Sequence, residues 1–403
     1  MKTLMVLAAG PLQIPVITTA RRLGLRVVVV DADANAPGLR LADVAHVANI
    51  TDYDACRAIA HQEAAGGVIQ ICTEVSIPLI GRLNAELGWS GLRPEVALDV
   101  TNKHRMRQAF DRGGAPSPRS FGVYTEAEAV AAAQSVRGAV ILKPSRSSGS
   151  RGVTKLNHGA TDQEVITAFG RALGFSADRG VVLEEFVEGP EFSVEILVWA
   201  GNPQVLAVTD KVTTGAPHFV ETGHSQPSAL VPADREQVVA AAVAGVRALG
   251  IDWSAAHAEI KLGPNGARIM EIGARLGGDF ITTELVPRST GIDMVAGAIR
   301  LALGEVPDLR PQHPPQGAAI RYVIPPPGQV LAVAGLTKAQ TLPGVRVAEV
   351  YVQAGGIVPP VTSSGCRSGH VIAEGPSAAE AIRNAEVARD TIQIQTAAQQ
   401  AAK

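Results

Sequence analysis

Ala255-Ala-His-Ala-Glu-Ile-Lys-Leu262 is typical of a β-strand. A second strand is predicted in Ala267-Arg-Ile-Met-Glu-Ile-Gly-Ala-Arg-Leu-Gly-Gly-Asp279, and the turn Gly263-Pro-Asn-Gly266 would join the two. Glu259 and Glu271 would then aim their carboxylates at one point. Two carboxylates repel unless a cation lies between them, and oxygen ligands without Cys or His favour Mg²⁺ over zinc. The alternative is an ordinary hairpin with two solvated glutamates.

Two lysines upstream each lie beside an element suited to an anion. Lys143 ends an apolar run and is followed by the small-residue loop Ser145-Arg-Ser-Ser-Gly-Ser-Arg-Gly152. Such a loop lets backbone N–H groups approach phosphate oxygens, although alone it is also typical of a plain turn. Lys103 opens a predicted helix that ends at Gly113-Gly114. A lysine at that end opposes the helix dipole, which indicates a bound anion.

A connector follows in Val181-Val-Leu-Glu-Glu-Phe-Val-Glu-Gly-Pro-Glu-Phe-Ser-Val-Glu195. The segment enters an acidic turn as an apolar run and leaves it as an alternating strand. Such a connector offers backbone groups to a flat heterocycle and a carboxylate to a ribose. Alone it predicts only a hairpin.

The order of these motifs resembles the ATP-grasp superfamily: Lys103, Lys143 with its loop, the Glu184-Glu-Phe-Val187 hinge, then Glu259, Glu271 and Arg275. Within it, the chain is similar to the carboxylate-amine ligases that make dipeptides, the L-amino acid ligase group. The resemblance covers nearly the whole chain and implies an α/β protein with an ATP-grasp fold. Its expected parts are a parallel-sheet N-terminal domain (1–100), a small lobe with lid and hinge (101–190), a large lobe with the metal and substrate site (191–310) and a C-terminal α+β lobe (311–403).

The resemblance also implies roles for residues at matching positions. The ATP phosphates would be contacted by Lys103 and Lys143 and covered by a flap that includes Ser147, Ser148, Gly149 and Gly152. Adenine would be held by Glu184, Phe186 and Val187, and the ribose by Glu191. Glu259 and Glu271 would bridge two Mg²⁺ ions, which Mn²⁺ can replace, and Arg275 would stabilise the transferred phosphate as a catalytic residue. Gly273 stands where many members have a metal-ligating Asn, so phosphates and water would complete the coordination.

A polar loop within residues 208–228 is expected to bind substrate, because such loops often carry binding groups on a rigid scaffold. By resemblance, Glu221 would hold a substrate ammonium, and His224 would orient a carboxylate or assist amine deprotonation as a second catalytic residue. The alternative is a surface loop with a solvated histidine. His257, inside an apolar strand, is predicted to be a satisfied structural histidine.

The Arg275-Leu-Gly-Gly278 motif is also expected at the substrate site, where Arg275 and Gly278 would each contact the substrate. Bacilysin-type ligases have a bulky aromatic residue next, whereas this chain has Asp279. An acidic wall would favour a cationic or hydrogen-bonding substrate side chain. The alternative is that Asp279 only pairs with Arg275 or Arg288.

The function that the resemblance implies is ATP-dependent activation of a carboxylate, followed by coupling to an amine. A biotin-carboxylase-like or purine-pathway enzyme that activates bicarbonate is the alternative, and a regulatory protein without turnover is a third. The chain has no Ala-Met-Lys-Met biotin acceptor, which argues against a self-contained biotin enzyme. Asp31 after an N-terminal strand also fits a dehydrogenase, but the three-glycine fingerprint is missing from the first turn.

The composition is consistent with an enzyme that acts on small molecules. The 403 residues carry a net charge of −2, which gives no basic bias toward nucleic acid, and no apolar stretch approaches the length of a membrane span. Three scattered cysteines favour a reduced, cytoplasmic setting. A homodimer is an expectation from the resemblance. Strands are predicted at residues 4–8, 26–30 and 67–71, and C-terminal strands at 317–324, 345–352 and 369–373, before a helix from about Ser377.

Overall fold

The N-terminal part is a parallel sheet flanked by helices in this computed structural model, which describes residues 1–147, 149 and 151–397. Its elements are β1 (Thr3–Leu7), α1 (Ile14–Arg22), β2 (Arg26–Asp31), β3 (Val44–Val47), α2 (Tyr53–Gln62), β4 (Val68–Ile69), α3 (Ile77–Leu87) and α4 (Pro94–Asp99). The strand order is β3-β2-β1-β4, with every pairing parallel. The four valines of β2 are fully buried, as in strands that are covered on both faces. The predicted α/β start is confirmed.

The next part forms a smaller antiparallel sheet. Its elements are α5 (Lys103–Gly113), β5 (Ser120–Val123), α6 (Glu126–Gln134), β6 (Val140–Pro144), β7 (Thr154–Leu156), α7 (Asp162–Gly174) and β8 (Val181–Glu185), and the strand order is β5-β8-β6-β7. Capping boxes begin α6 at Thr125 and α7 at Thr161. The two helices and the sheet enclose a separate apolar core around Phe169 and Leu183.

The remaining elements form an eight-stranded antiparallel sheet, a three-stranded sheet and their helices. The elements of the large lobe are, in chain order, β9 (Glu191–Trp199), β10 (Asn202–Thr213), β11 (Glu221–Gln226), α8 (Pro232–Ala248), β12 (Ser254–Gly263), β13 (Gly266–Gly273), a π-helical turn (Ile281–Leu285), α9 (Val286–Thr290) and α10 (Met294–Ala302). The C-terminal elements are β14 (Gly317–Val323), β15 (Gly328–Ala334), α11 (Leu336–Gln340), β16 (Val345–Val350), β17 (Ile357–Val358), β18 (Gly369–Gly375), α12 (Ala378–Thr391) and β19 (Gln393–Ala397).

The C-terminal strands continue the sheet of the large lobe. The order is β13-β12-β9-β10-β11-β14-β18-β16, while β17, β15 and β19 form a small sheet of their own. The predicted boundary near residue 311 therefore falls between strands of one sheet. The predicted strands at 317–324, 345–352 and 369–373 correspond to β14, β16 and β18, and Ser377 caps α12.

Helix α5 connects the two lobes. Asn102 caps it by accepting a hydrogen bond from the Arg105 backbone N–H at 2.9 Å, and Gly114 ends it with a left-handed φ of 64°. Met106 and Phe110 are buried in the same core as α8. Packing against the large lobe thus places the first turn of α5, with Lys103, at the edge of the main sheet. Among the described residues, no helix is long and apolar enough to cross a membrane.

We predict that Gly189→Ala destabilises the protein strongly. Gly189 connects β8 to β9 with φ +116°, and a Cβ there would lie 2.1 Å from the carbonyl oxygen of Leu262. We expect a loss of about 3 kcal/mol in the free energy of unfolding, measured by urea denaturation. The matched control is Gly201→Ala, at φ +71° with open space around it. That change should cost only about 1 kcal/mol, and equal losses in the two variants would contradict the steric argument.

Candidate active site

Glu259 and Glu271 face each other across the hairpin. They are direct partners in the pairing of β12 with β13, and the turn closes at the Gly263–Gly266 pair, as predicted. Both side chains line a cleft between the small sheet and the main sheet, which encloses about 1200 Å³ including the solvent at its mouth. Further predicted residues that line it are Lys103, Lys143, Ser147, Gly149, Glu184, Phe186, Val187, Glu191, Glu221 and Arg275.

Lys103 neutralises Glu271. The Lys103 Nζ lies 2.9 Å from a Glu271 carboxylate oxygen and donates at 3.0 Å to the carbonyl oxygen of Ser147. Burial opposes a charged lysine, but Glu271 and Glu74 outweigh it and raise the pKa of Lys103. Burial also raises the pKa of Glu271, against the attraction of the lysine. The first turn of α5 therefore places one positive charge, that of Lys103, against the carboxylate of Glu271.

Lys211 holds the other carboxylate of the pair, and our sequence analysis did not identify it. Its Nζ lies 2.8 Å from Glu259, 2.5 Å from Glu191 and 3.8 Å from Glu221. Burial would lower the pKa of Lys211, but Glu191, Glu259 and Glu221 raise it well above its usual value. Three acids expected at ribose, metal and substrate thus share one buried cation. A lysine inside a strand was the only signal available in the sequence.

Glu184 belongs to a buried ionic triad. Its two carboxylate oxygens lie 2.7 Å from Arg107 Nε and 2.8 Å from Lys143 Nζ. Arg107 also donates at 2.6 Å to the carbonyl oxygen of Met270, next to Glu271. Burial raises the pKa of Glu184, but the charges of Arg107 and Lys143 prevail and lower it to about 2. The side chain of Glu184 thus positions Lys143 in this structure, and Arg107 is a further residue that the sequence analysis missed.

Arg275 is paired with Glu74 from the N-terminal domain. The guanidinium lies 2.8 Å from the Glu74 carboxylate, and both residues line the cleft. Burial alone would lower the pKa of Arg275, but the charge of Glu74 outweighs burial and raises it. A Cβ at Gly273 would lie 3.1 Å from the guanidinium carbon. The absence of a side chain at Gly273 thus leaves room for Arg275.

The hinge end of the cleft is aromatic and cationic. The rings of Phe186 and Phe219 lie 6.2 Å apart. Lys155 Nζ lies 3.7 Å from the centre of the Phe186 ring, and Lys261 donates at 3.1 Å to the carbonyl oxygen of Val187. Burial lowers the pKa of Lys261. A flat ring system bearing phosphates would fit this combination of aromatic faces and cations.

The small-residue loop borders the cleft. Gly149 lines it, and both Gly149 and Gly152 have left-handed φ values, 68° and 74°. Gly152 lies against the ring of Phe175, where a Cβ would come within 2.9 Å of a ring carbon. Ser148 lies outside the described residues. The flap role of this loop stays a prediction.

The described residues that line the cleft do not include three of the predicted substrate residues, His224, Gly278 and Asp279. The His224 side chain is only 1% exposed, and its Nε2 lies 3.2 Å from Asp279. Asp279 pairs with neither Arg275 nor Arg288. The alternative prediction, that it forms an ion pair with one of these two arginines, is therefore wrong. Its carboxylate instead accepts two hydrogen bonds from Arg367, at 2.6 and 2.7 Å.

His257 is hydrogen-bonded, as predicted, but it lines the cleft. Its Nδ1 lies 2.6 Å from the buried carboxylate of Glu195, and its Nε2 lies 3.7 Å from Glu259. Burial alone would lower the pKa of His257, whereas Glu195 and Glu259 raise it to about 9. The histidine therefore adds a second positive charge beside Glu259.

The donor set fits Mg²⁺ only together with a ligand. No group of three or more metal-binding His, Cys, Asp or Glu side chains occurs within the described part of the chain. Glu259 and Glu271 supply two carboxylates, and Mg²⁺ commonly takes one or two protein carboxylates with phosphate oxygens and water. The two glutamates therefore fit an ion that arrives with a phosphate ligand.

The fold and the cleft define an α/β protein of the ATP-grasp class. A family model described as an ATP-grasp domain matches residues 136–284, and one described as L-amino acid ligase C-terminal domain 2 matches residues 321–397. Residues 136–284 are thus an ATP-grasp domain, and residues 321–397 are a C-terminal domain of the L-amino acid ligase type.

Two related proteins resemble this chain at low sequence identity and over only part of its length. Alanine–anticapsin ligase of Bacillus subtilis is 28% identical over 241 residues, 55% of this chain and 50% of that protein. Carnosine synthase 1 of Gallus gallus is 34% identical over 190 residues, 46% of this chain and 20% of that protein. The chain thus matches half or less of these two relatives. A crystal structure of L-amino acid ligase from Bacillus licheniformis shares the fold, with a TM-score of 0.84 and 22% identity over 99% of both chains.

We predict that Lys211→Met destabilises the protein without Mg²⁺ by about 3–5 kcal/mol, since removing one partner of a buried ion pair leaves uncompensated charge. Urea denaturation in the absence of Mg²⁺ measures the loss. Lys155→Met is the matched control, because its partner Glu188 is 70% exposed. The control should cost less than about 1 kcal/mol. An unchanged midpoint for Lys211→Met would contradict the role of Lys211 as shared counter-ion.

We predict an acid-dependent contribution from Glu184. Because its pKa is lowered to about 2 in the fold, its stabilisation is complete above the ordinary glutamate pKa and is lost as the pH falls from there toward 2. Glu184→Gln should therefore be less stable than the unaltered protein at neutral pH, with a gap that narrows below about pH 4.5. Urea midpoints between pH 7 and pH 3 measure this gap. A gap that stays constant over that range would refute the triad's contribution.

Proposed function

We propose that the protein is an ATP-dependent ligase that activates the carboxylate of an amino acid as an acyl phosphate and couples it to an amine. The products would be an amide or dipeptide, ADP and phosphate. The observation that carries the proposal is the facing pair Glu259 and Glu271, which share one cleft with Lys103 and Arg275, while the buried Lys211 pairs with Glu259. Such a site suits a metal-bound triphosphate beside a second anion.

The chemistry explains why cations must surround the acids. A carboxylate is ionised at neutral pH and has no good leaving group, so an amine does not attack it. In the first step, a carboxylate oxygen attacks the γ-phosphorus of ATP, the bond to the β-phosphate oxygen breaks, and ADP leaves. Lys103 and Arg275 would offset the repulsion between the two anions, and Mg²⁺ held by Glu259 and Glu271 would neutralise phosphate charge.

The second step forms the amide. A neutral amine attacks the carbonyl carbon of the acyl phosphate, and phosphate leaves with the former carboxylate oxygen. Glu221, which lines the cleft, would hold the amino group of a substrate, because Glu74 is already paired with Arg275. His224 is buried and directed at Asp279, so we assign it to positioning, with no direct transfer of the amine proton.

Relatives support the amino-acid branch of this chemistry. The name of alanine–anticapsin ligase describes a ligase of an amino acid, and residues 321–397 of this chain match the L-amino acid ligase C-terminal domain. Bicarbonate activation is the second candidate. Bicarbonate has no ammonium group for Glu221 to bind, whereas Glu221 lines the cleft. We therefore favour amino acids as substrates, in a reaction that uses Mg-ATP.

The test is release of ADP and phosphate from Mg-ATP across single and paired amino acids, with mass spectrometry of the products. We expect turnover that needs two amino acids and yields one new amide per ADP. Glu271→Gln and Glu259→Gln should each reduce turnover by about a hundredfold or more, since each loses a charge that acts on the phosphates. Glu126→Gln, on the exposed start of α6, is the control and should keep full turnover. Bicarbonate-dependent ADP release without an amide would contradict the proposal.

A further inference from the structure

A turn of the C-terminal domain reaches the substrate end of the cleft. Residues 363–367 lie between β17 and β18 and include a 3₁₀ turn at Ser364–Cys366. Arg367 follows this turn, with only 10% of its side chain exposed. Its Nε donates to the carbonyl oxygen of Ser364 at 2.8 Å, and its guanidinium carbon lies 3.6 Å from the centre of the Tyr322 ring. Arg367 is therefore fixed in one orientation by its own domain.

Arg367 holds a strained segment of the large lobe. Asp279 and Phe280 have left-handed φ values of 54° and 61°, which side chains other than glycine rarely adopt. The guanidinium of Arg367 binds both oxygens of Asp279, and the Tyr322 hydroxyl donates at 3.3 Å to the Asp279 carbonyl oxygen. The ring of Phe280 stacks on His370 of β18 at 4.4 Å. The C-terminal domain thus stabilises the segment that begins four residues after Arg275.

The same turn also contacts a residue that lines the cleft. The Ser364 hydroxyl donates to the carboxylate of Glu221 at 2.9 Å, and Arg367 lies 3.5 Å from the Glu221 carbonyl oxygen. Glu221 lines the cleft at the start of β11. One short turn therefore contacts two segments, each of which carries or adjoins a cleft residue.

The pairing also matches the negative charge of Asp279 with a cation. One oxygen of Asp279 accepts from Arg367, and the other accepts from Arg367 and lies beside His224. Arg367 lowers the pKa of Asp279 after outweighing burial, so the carboxylate stays ionised as half of a salt bridge. Asp279 is consequently already matched by a cation. A selective charge for a basic substrate side chain would have to come from another residue.

We propose that residues 363–367 are a substrate-positioning element, in which Arg367 acts through Asp279 and Ser364 acts on Glu221. The inference rests on the proposed ligase function. Its consequence is that the C-terminal domain sets the KM for the amino acid substrates, while ATP, bound toward the hinge, is affected little. Arg367 is a positioning residue, because its contacts are to Asp279, Ser364, Glu221 and Tyr322.

The test compares Arg367→Ala, Arg367→Lys and Ser364→Ala with a control. The control is Arg346→Ala, which removes a 2.7 Å ion pair with Glu374 in the same domain and touches no cleft segment named above. Kinetics use Mg-ATP and the amino acid pair that gives the most amide. For Arg367→Ala we expect the KM of an amino acid to rise about tenfold or more, while the KM of ATP stays within about twofold. Arg367→Lys should recover part of the effect, and Ser364→Ala should show a smaller rise.

Hydrogen exchange provides the second readout. Peptides that cover residues 273–284 and 219–226 should exchange faster in Arg367→Ala than in Arg346→Ala, with circular dichroism confirming that both are folded. Equal rises in the KM values of ATP and amino acids, or unchanged exchange in these peptides, would overturn the inference. Should Arg367→Ala not fold, Ser364→Ala and Arg367→Lys decide the same comparison. If the unaltered protein forms no amide from any pair, the proposed function fails, and exchange alone decides whether the turn holds the two segments.

Discussion

The arrangement of this site depends on two carboxylates that repel each other. Glu259 and Glu271 are direct partners across a hairpin, so the backbone fixes their separation and they cannot move apart. Each has its own lysine, Lys211 from β10 and Lys103 from the first turn of α5. Burying these charges costs desolvation energy, and only close pairing repays it. The position of α5 against the main sheet is thereby tied to the chemistry of the cleft.

The same principle extends to the rest of the cleft. Arg275 is held by Glu74, and Lys143 by Glu184, so each cation expected at an anionic ligand already has a carboxylate partner. Phosphates that enter would share these cations with the acids. The carboxylates therefore hold these cations along the cleft, where phosphates would bind.

The sequence predicted what depends on local patterns and on motif order. The hairpin, the helix that begins at Lys103 and the parallel N-terminal sheet all follow from turn residues and apolar runs. Lys211, Glu74 and Arg107 were missed because their roles arise only when distant segments meet. Arg275 and Glu74, for example, are 201 residues apart in the chain. No local pattern distinguishes such a lysine or glutamate from a solvated one.

Asp279 shows the limit of reasoning from a motif. Its position after the Arg275-Leu-Gly-Gly278 sequence suggested a free acidic wall, and the partners considered were nearby arginines. The structure supplies Arg367, 88 residues away, because β14 and β18 extend the large-lobe sheet and bring the C-terminal turn back to the cleft. Strand order, which the sequence did not reveal, determines this contact.

The central claim is that the protein transfers phosphate to a substrate carboxylate before the amide forms. Its most direct test is a reaction with an amino acid labelled with ¹⁸O in both carboxylate oxygens, followed by mass spectrometry of the released phosphate. We expect each released phosphate to carry a single ¹⁸O atom, since one carboxylate oxygen leaves with it. Unlabelled phosphate alongside the amide would contradict the acyl-phosphate route.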